Sequence, residues 1–177
     1  LCRRLSESTG WSIRNNSLLP KGENPYYSDA RESHKMQSAT DLEVGEIFLK
    51  ALQYDIEHYA NPGTPYIQDS TILLRSIAYH QEIGNIDLVR KFEAFLEKHP
   101  KPFVSFLCQP SIEVRLKRLS GRISRNNDTP EDHIIRQDPD RFRRMENTIS
   151  GLVRRHFKMR ALDTSLLEDP DKSRELL

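Results

Sequence analysis

Cysteine, long apolar runs and net charge are all scarce in this chain. It has two cysteines, Cys2 and Cys108, and no CxxC pair. Nothing in that count points to a disulfide framework or a CxxC metal site, and a reducing, cytoplasmic setting is expected. No apolar stretch approaches the roughly 18 residues of a membrane span. The opening "LCRRLSESTG" lacks the apolar core of a signal peptide. Lys and Arg number 27 against 26 Asp and Glu, so the net charge of +1 gives no general attraction to nucleic acid or anionic lipid. Repeats and low-complexity tracts are absent too. Any anion binding must come from local clustering of charge.

Strand-like and helix-like segments alternate along the 177 residues. Leu1 and Leu5 share a helix face that Gly10 is placed to stop. "WSIR" is a strand candidate, and "NNSLLPKGENPYYSD" carries the Asn, Pro and Gly punctuation of a loop. From about Lys35 to Ala60, Leu42, Phe48, Leu49, Leu52, Ile56 and Tyr59 recur at helical spacing. "PYIQD" is a short apolar strand ending in a carboxylate. Two helices follow, in "STILLRSIAYHQEIGN" and "IDLVRKFEAFLEKH". "FVSFLC" lies between prolines and reads as a buried parallel strand, with Cys108 as a core thiol. Later come a helix capped by Ser111, a helix over about Asp138 to Phe157, a strand in "MRALDT" and a closing helix in "SLLEDPDKSRELL". The alternation predicts an α/β fold with a central parallel sheet, built as one domain.

Ligands in such sheets bind beyond the carboxyl ends of the strands. Asp69, Gln109 and the Asp163-Thr164-Ser165 run occupy those ends. A carboxylate such as Asp69 can hold Mg²⁺ or accept a proton. It can equally cap the next helix, a task open to Ser70 and Thr71 as well. The second local feature is "RLKRLSGRISR", Arg115 to Arg125. Ile112, Leu116 and Leu119 form a core-facing stripe, and Arg115, Arg118 and Arg122 form a second face, with Arg125 beyond Gly121. Guanidinium groups on a glycine-containing segment suit a polyphosphate. The same residues also make an ordinary solvated helix face paired with Glu113 and other acids. No aromatic residues are interleaved for base stacking, which argues against an RNA-binding module.

Taken in order, these motifs resemble P-loop small-molecule kinases, in the branch of deoxynucleoside kinases and thymidylate kinase. "LCRRLSESTG" resembles the helix after a Walker A loop, so the first strand and phosphate loop are expected before Leu1. "ENPYY", Glu23 to Tyr27, is similar to the Glu-Asn-Pro-Tyr stretch of deoxynucleoside kinases. "QDSTILLRSIAYHQ" resembles their strand-end acidic motif, with the Ala-Tyr of thymidylate kinases at Ala78-Tyr79. "SIEVRLKRLSGRISR" resembles the helix leading into an arginine-rich lid, expected over residues 118–137. "LDTS", Leu162 to Ser165, resembles the loop beside the adenine of ATP.

The resemblance implies a three-layer P-loop kinase fold that transfers phosphoryl groups from ATP, with Mg²⁺, to a nucleoside or nucleoside monophosphate. It implies catalytic roles for Asp69, Arg122 and Arg125, with Asp69 also toward the metal. Glu23, Tyr27, Gln37, Arg75 and Tyr79 would bind the acceptor, and Arg118, Asp163 and Thr164 would bind ATP. The partners implied are ATP and a small molecule, without nucleic acid or membrane, and with homodimer formation left open. Two departures bear on the substrate. Asp69 is followed by Ser70, so the nearest arginine is Arg75, and "IRNNS" stands where the family carries its Glu-Pro base, leaving Glu23 as a substitute. A kinase of another small hydroxyl compound, or a nucleotide-binding regulator, stays open as an alternative.

Overall fold

The structure, a computed structural model, describes residues 1–28, 40–108, 110–123, 136–157 and 159–162, with the backbone alone for 112, 118, 119, 121–123, 159, 161 and 162. The chain divides into two compact units, Leu1–Pro100 and Lys101–Leu177. The described elements are mixed α and β, mostly helical, and each unit holds a two-stranded parallel sheet.

In the first unit, α1 (Cys2–Thr9) ends where Gly10 turns left-handed at φ 72°, its N–H donating to the Ser6 carbonyl at 2.8 Å. β1 (Ser12–Asn15) then pairs in parallel with β2 (Tyr66–Asp69), Asn15 opposite Asp69. Between them runs α2 (Asp41–His58), opened by a Thr40–Glu43 capping box. The part of its expected span at 35–39 lies outside the described residues. The buried face of α2 is Val44, Gly45, Leu49, Ala51, Leu52 and Asp55. It is rotated from the expected stripe, so Leu42 is exposed.

After β2 come α3 (Ile72–Glu82) and α4 (Ile86–Lys98), and α4 packs on both α2 and α3. Leu52, Leu73, Ile77, Leu88, Phe92 and Leu96 fill the core they share. Gly45 is the point of closest approach. A Cβ there would stand 2.5 Å from Leu88 Cδ1 and 2.7 Å from the His80 ring, so any larger residue would force these side chains to shift.

In the second unit, β3 (Ser105–Cys108) pairs in parallel with β4 (Met159–Leu162). The strand and its parallel pairing agree with the sequence, but the expected burial does not. Phe103 is 99% exposed, and Phe106 and Cys108 are exposed as well. Ser105 and Leu107 are half-buried, because side chains alternate between the two faces of a strand. α5 (Ile112–Ile123) starts with Ser111 Oγ accepting from the Val114 N–H at 3.4 Å, the expected cap. Leu116, assigned to the core stripe, is 40% exposed. α6 (Pro139–His156) begins at the Asp138 cap with proline in its first turn and buries Met145, Leu152 and Val153. Among the described residues no helix is long and apolar enough to cross a membrane.

Candidate functional site

The carboxyl ends of β1 and β2 open into a polar pocket of about 370 Å³, lined by Asn15, Asn16, Asp69, Ser70 and Arg75. The backbone makes the opening. Asn16 (φ 64°) and Ser70 (φ 69°) are the two non-glycine residues with positive φ among the described residues, and each directly follows a strand end. Left-handed backbone at non-glycine residues costs about 1–2 kcal/mol each and concentrates at functional positions. The Asn16 N–H still donates to the Asp69 carbonyl at 3.3 Å, which ties the first residue after β1 to the last residue of β2.

Asp69 projects from the end of β2 and is exposed. It does not cap α3. That role falls to Thr71, whose hydroxyl accepts from the Leu73 N–H. Arg75 stands in the first turn of α3, where the helix dipole disfavours a cation. Its Nη2 donates to Asn16 Oδ1 at 2.5 Å, while its buried Nε has no acceptor among the described residues.

Asn16 is held from behind by a buried carboxylate that the sequence did not advertise. Asp55 is 1% exposed on the inner face of α2. It accepts from Ser17 Oγ at 2.7 Å, the Leu18 N–H at 2.9 Å and Asn24 Nδ2 at 2.7 Å. The Tyr27 hydroxyl lies between Asp55 Oδ2 at 3.3 Å and the Asn16 carbonyl at 3.1 Å. Burial, then the Asp55 charge, push the Tyr27 hydroxyl well above the ordinary tyrosine pKa. Arg14 completes the arrangement: it donates to the Leu18 carbonyl and lies 4.0 Å over the Tyr66 ring. Asp55 and Arg14 thus hold the N–H and the carbonyl of Leu18 and tie down the loop that follows Asn16.

Of the residues expected at a site, Asp69 and Arg75 line this pocket. Tyr27 adjoins it through Asn16 but commits its hydroxyl to Asn16 and Asp55. Glu23 is exposed on the loop and outside the lining. Tyr79, on α3, donates to Asp41 Oδ1 at 2.7 Å and also lies outside the lining. Gln37, Arg125, Asp163 and Thr164, and the strand-end Gln109, fall outside the described residues, as do the side chains of Arg118 and Arg122.

The first arginine of the lid-like face has a structural task. Arg115, 13% exposed, forms an ion pair with Glu146 of α6, donates to the Pro110 carbonyl at 3.1 Å and lies 5.1 Å from the Phe142 ring centre. No cluster of three metal-ligating side chains occurs among the described residues. A lone carboxylate such as Asp69 fits Mg²⁺ that keeps several waters and takes its other ligands from phosphate. No family model matches the chain, and no curated protein or solved structure matches it significantly.

Proposed function

We propose that the protein is an ATP-dependent small-molecule kinase of the P-loop type, acting on a small hydroxyl acceptor such as a nucleoside or nucleoside monophosphate. The observation that carries the reading is the pocket at the carboxyl ends of β1 and β2, with Asp69 and Arg75 in its lining. Phosphoryl transfer needs positioning and charge neutralisation more than covalent participation by the protein. A pocket edged by a carboxylate and a guanidinium supplies both kinds of contact.

On this reading Asp69 accepts the proton of the acceptor hydroxyl or holds the hydration shell of Mg²⁺. Mg²⁺ with ATP supplies the activated phosphoryl group and neutralises its charge. The resemblance assigns Arg118, Arg122 and Arg125 to an arginine-rich lid, and Asp163 and Thr164 to ATP binding. The fold that goes with this function is a three-layer α/β arrangement. Two-stranded parallel sheets are smaller than such sheets usually are.

The test uses protein expressed from its complete reading frame. Calorimetric titration with a non-hydrolysable ATP analogue and Mg²⁺ should show saturable binding. ADP release should then depend on one member of a panel of nucleosides, nucleoside monophosphates and simple alcohols. Absence of ATP binding, or ATP binding with no acceptor-dependent turnover, removes the reading.

A further inference from the structure

The outer face of α2 carries a second opening, of about 190 Å³, lined by Tyr26, Lys50, Gln53, Tyr54 and Glu57. It shares no residue with the strand-end pocket. Lys50, Gln53, Tyr54 and Glu57 fall at i, i+3, i+4 and i+7, so they stand in one row along the helix. The wall of the opening is aromatic and held in place. The Tyr54 ring stacks on His58 with centroids 3.8 Å apart, and the His58 Nδ1–H donates to the Tyr54 carbonyl at 2.9 Å. Tyr26 meets the Tyr54 ring edge-on, at 5.7 Å and 68°. The Tyr26 N–H donates to Asn24 Oδ1, and the Asn24 amide donates in turn to the Ala51 carbonyl and Asp55. Tyr26 is thus tied to α2 through its backbone, while the residue stays 38% exposed.

Two opposite charges frame this wall without meeting. Lys50 and Glu57 lie two helical turns apart, about 10 Å along the axis. Neither forms an ion pair with any described residue. Elsewhere exposed opposite charges do pair, Lys91 with Glu46 at 2.5 Å and Arg143 with Asp140 at 2.7 Å. Gln53 donates to Glu57 Oε1 at 2.7 Å, which holds one oxygen of the carboxylate at the rim. We propose that this face of α2 binds a small zwitterion with a flat apolar body, its ammonium at Glu57 and its carboxylate at Lys50. Tyr26 and Tyr54 cover the body between the two charges. The ammonium meets the Tyr54 ring as well, because Tyr54 and Glu57 are neighbours on the helix surface. A wall already fixed before binding lowers the ordering cost. The opening is smaller than ordinary ligand pockets, so it takes a molecule of about one ring and excludes a whole nucleotide.

Calorimetric titration without ATP, on protein from the complete reading frame, tests this. The zwitterionic probes are phenylalanine, with its charges on neighbouring atoms, and para-(aminomethyl)benzoate, with its charges at opposite ends of a ring. Each has two controls that keep one charge: phenylalaninamide and N-acetylphenylalanine for the first, benzylamine and benzoate for the second. At least one zwitterion should bind saturably and about fivefold tighter than either of its controls, the most that an exposed ion contact usually adds. Comparing the two zwitterions reads the charge separation that the site prefers.

Variants assign the two ends. Lys50→Gln should remove the advantage of the zwitterion over its ammonium-only control. Glu57→Gln keeps an oxygen for Gln53 and should remove the advantage over the carboxylate-only control. Tyr26→Ala should weaken every probe about tenfold, since the ring is lost while the backbone bond to Asn24 remains. All three residues are exposed, so the melting temperature should hardly move in any variant. Absence of saturable binding by both zwitterions, equal binding of the single-charge controls, or a preference that survives both Lys50→Gln and Glu57→Gln overturns the inference. None of these results involves ATP or the strand-end pocket, so the kinase reading stands or falls separately.

Discussion

Two carboxylates in the first unit have opposite tasks, and single substitutions separate them. Asp69 is exposed at a strand end and Thr71 does its capping work. Asp69→Asn should therefore leave the unfolding midpoint nearly unchanged. On the kinase proposal, turnover should fall about 100-fold or more, because Asp69 would serve there as proton acceptor or metal contact. Steady-state kinetics beside a thermal melt checks this; wild-type kcat in the variant returns Asp69 to the surface. Asp55 is the reverse case. Asp55→Ala strands the Ser17 hydroxyl, the Leu18 N–H and the Asn24 amide in a buried site. Each stranded group costs about 1 kcal/mol or more, so a loss of at least 3 kcal/mol is expected in urea unfolding. The donors to Asp55 lie 28 to 38 residues away in sequence, which is why one acid on an apolar helix face gave no sign of its role.

At the scale of elements, strands and helix ends were readable and helix faces were less so. "PYIQD" announced a strand because an apolar run meets proline before it and a carboxylate at its end, and β2 is Tyr66–Asp69. Gly10 and Ser111 act at the helix ends as their residue types suggest. The face of α2 shifted because packing partners, not periodicity, decide which side is covered. Gly45 and Asp55 belong to the buried side of α2, and Leu42 does not. Arg115 is tied to Glu146 and Pro110, so Arg115→Ala should lower stability by about 1–2 kcal/mol in denaturant unfolding. On the kinase proposal, Arg122→Ala should lower kcat by ~10³-fold with little change in ATP affinity. A stability loss at Arg122 with unchanged kcat would sink the lid assignment.

For the molecule as a whole, titration sets a window of stability. His80 is buried against Gly45 and stacks on Phe92, and burial lowers its pKa from 6.5 while Asp41 partly opposes the shift. A lowered histidine pKa means that the folded state resists protonation. Its contribution is present above the unfolded value and lost as pH falls through the folded one. Tyr27 and Tyr66 are raised from 10.0, so their contributions are present below that value and lost as pH rises above it. Urea midpoints should therefore peak near neutrality and fall below about pH 6 and above about pH 10. His80→Gln should flatten the acid limb; an acid limb unchanged in that variant assigns it to other groups. The paired left-handed residues Asn16 and Ser70 have a consequence for how the protein can diversify. Glycine, asparagine and aspartate enter such backbone readily, and branched side chains do not. Sequence drift and directed libraries alike will find the pocket rim closed at these two positions. New ligand preferences at this pocket will have to arise at Asn15, Asp69 and Arg75, whose identities the backbone leaves open.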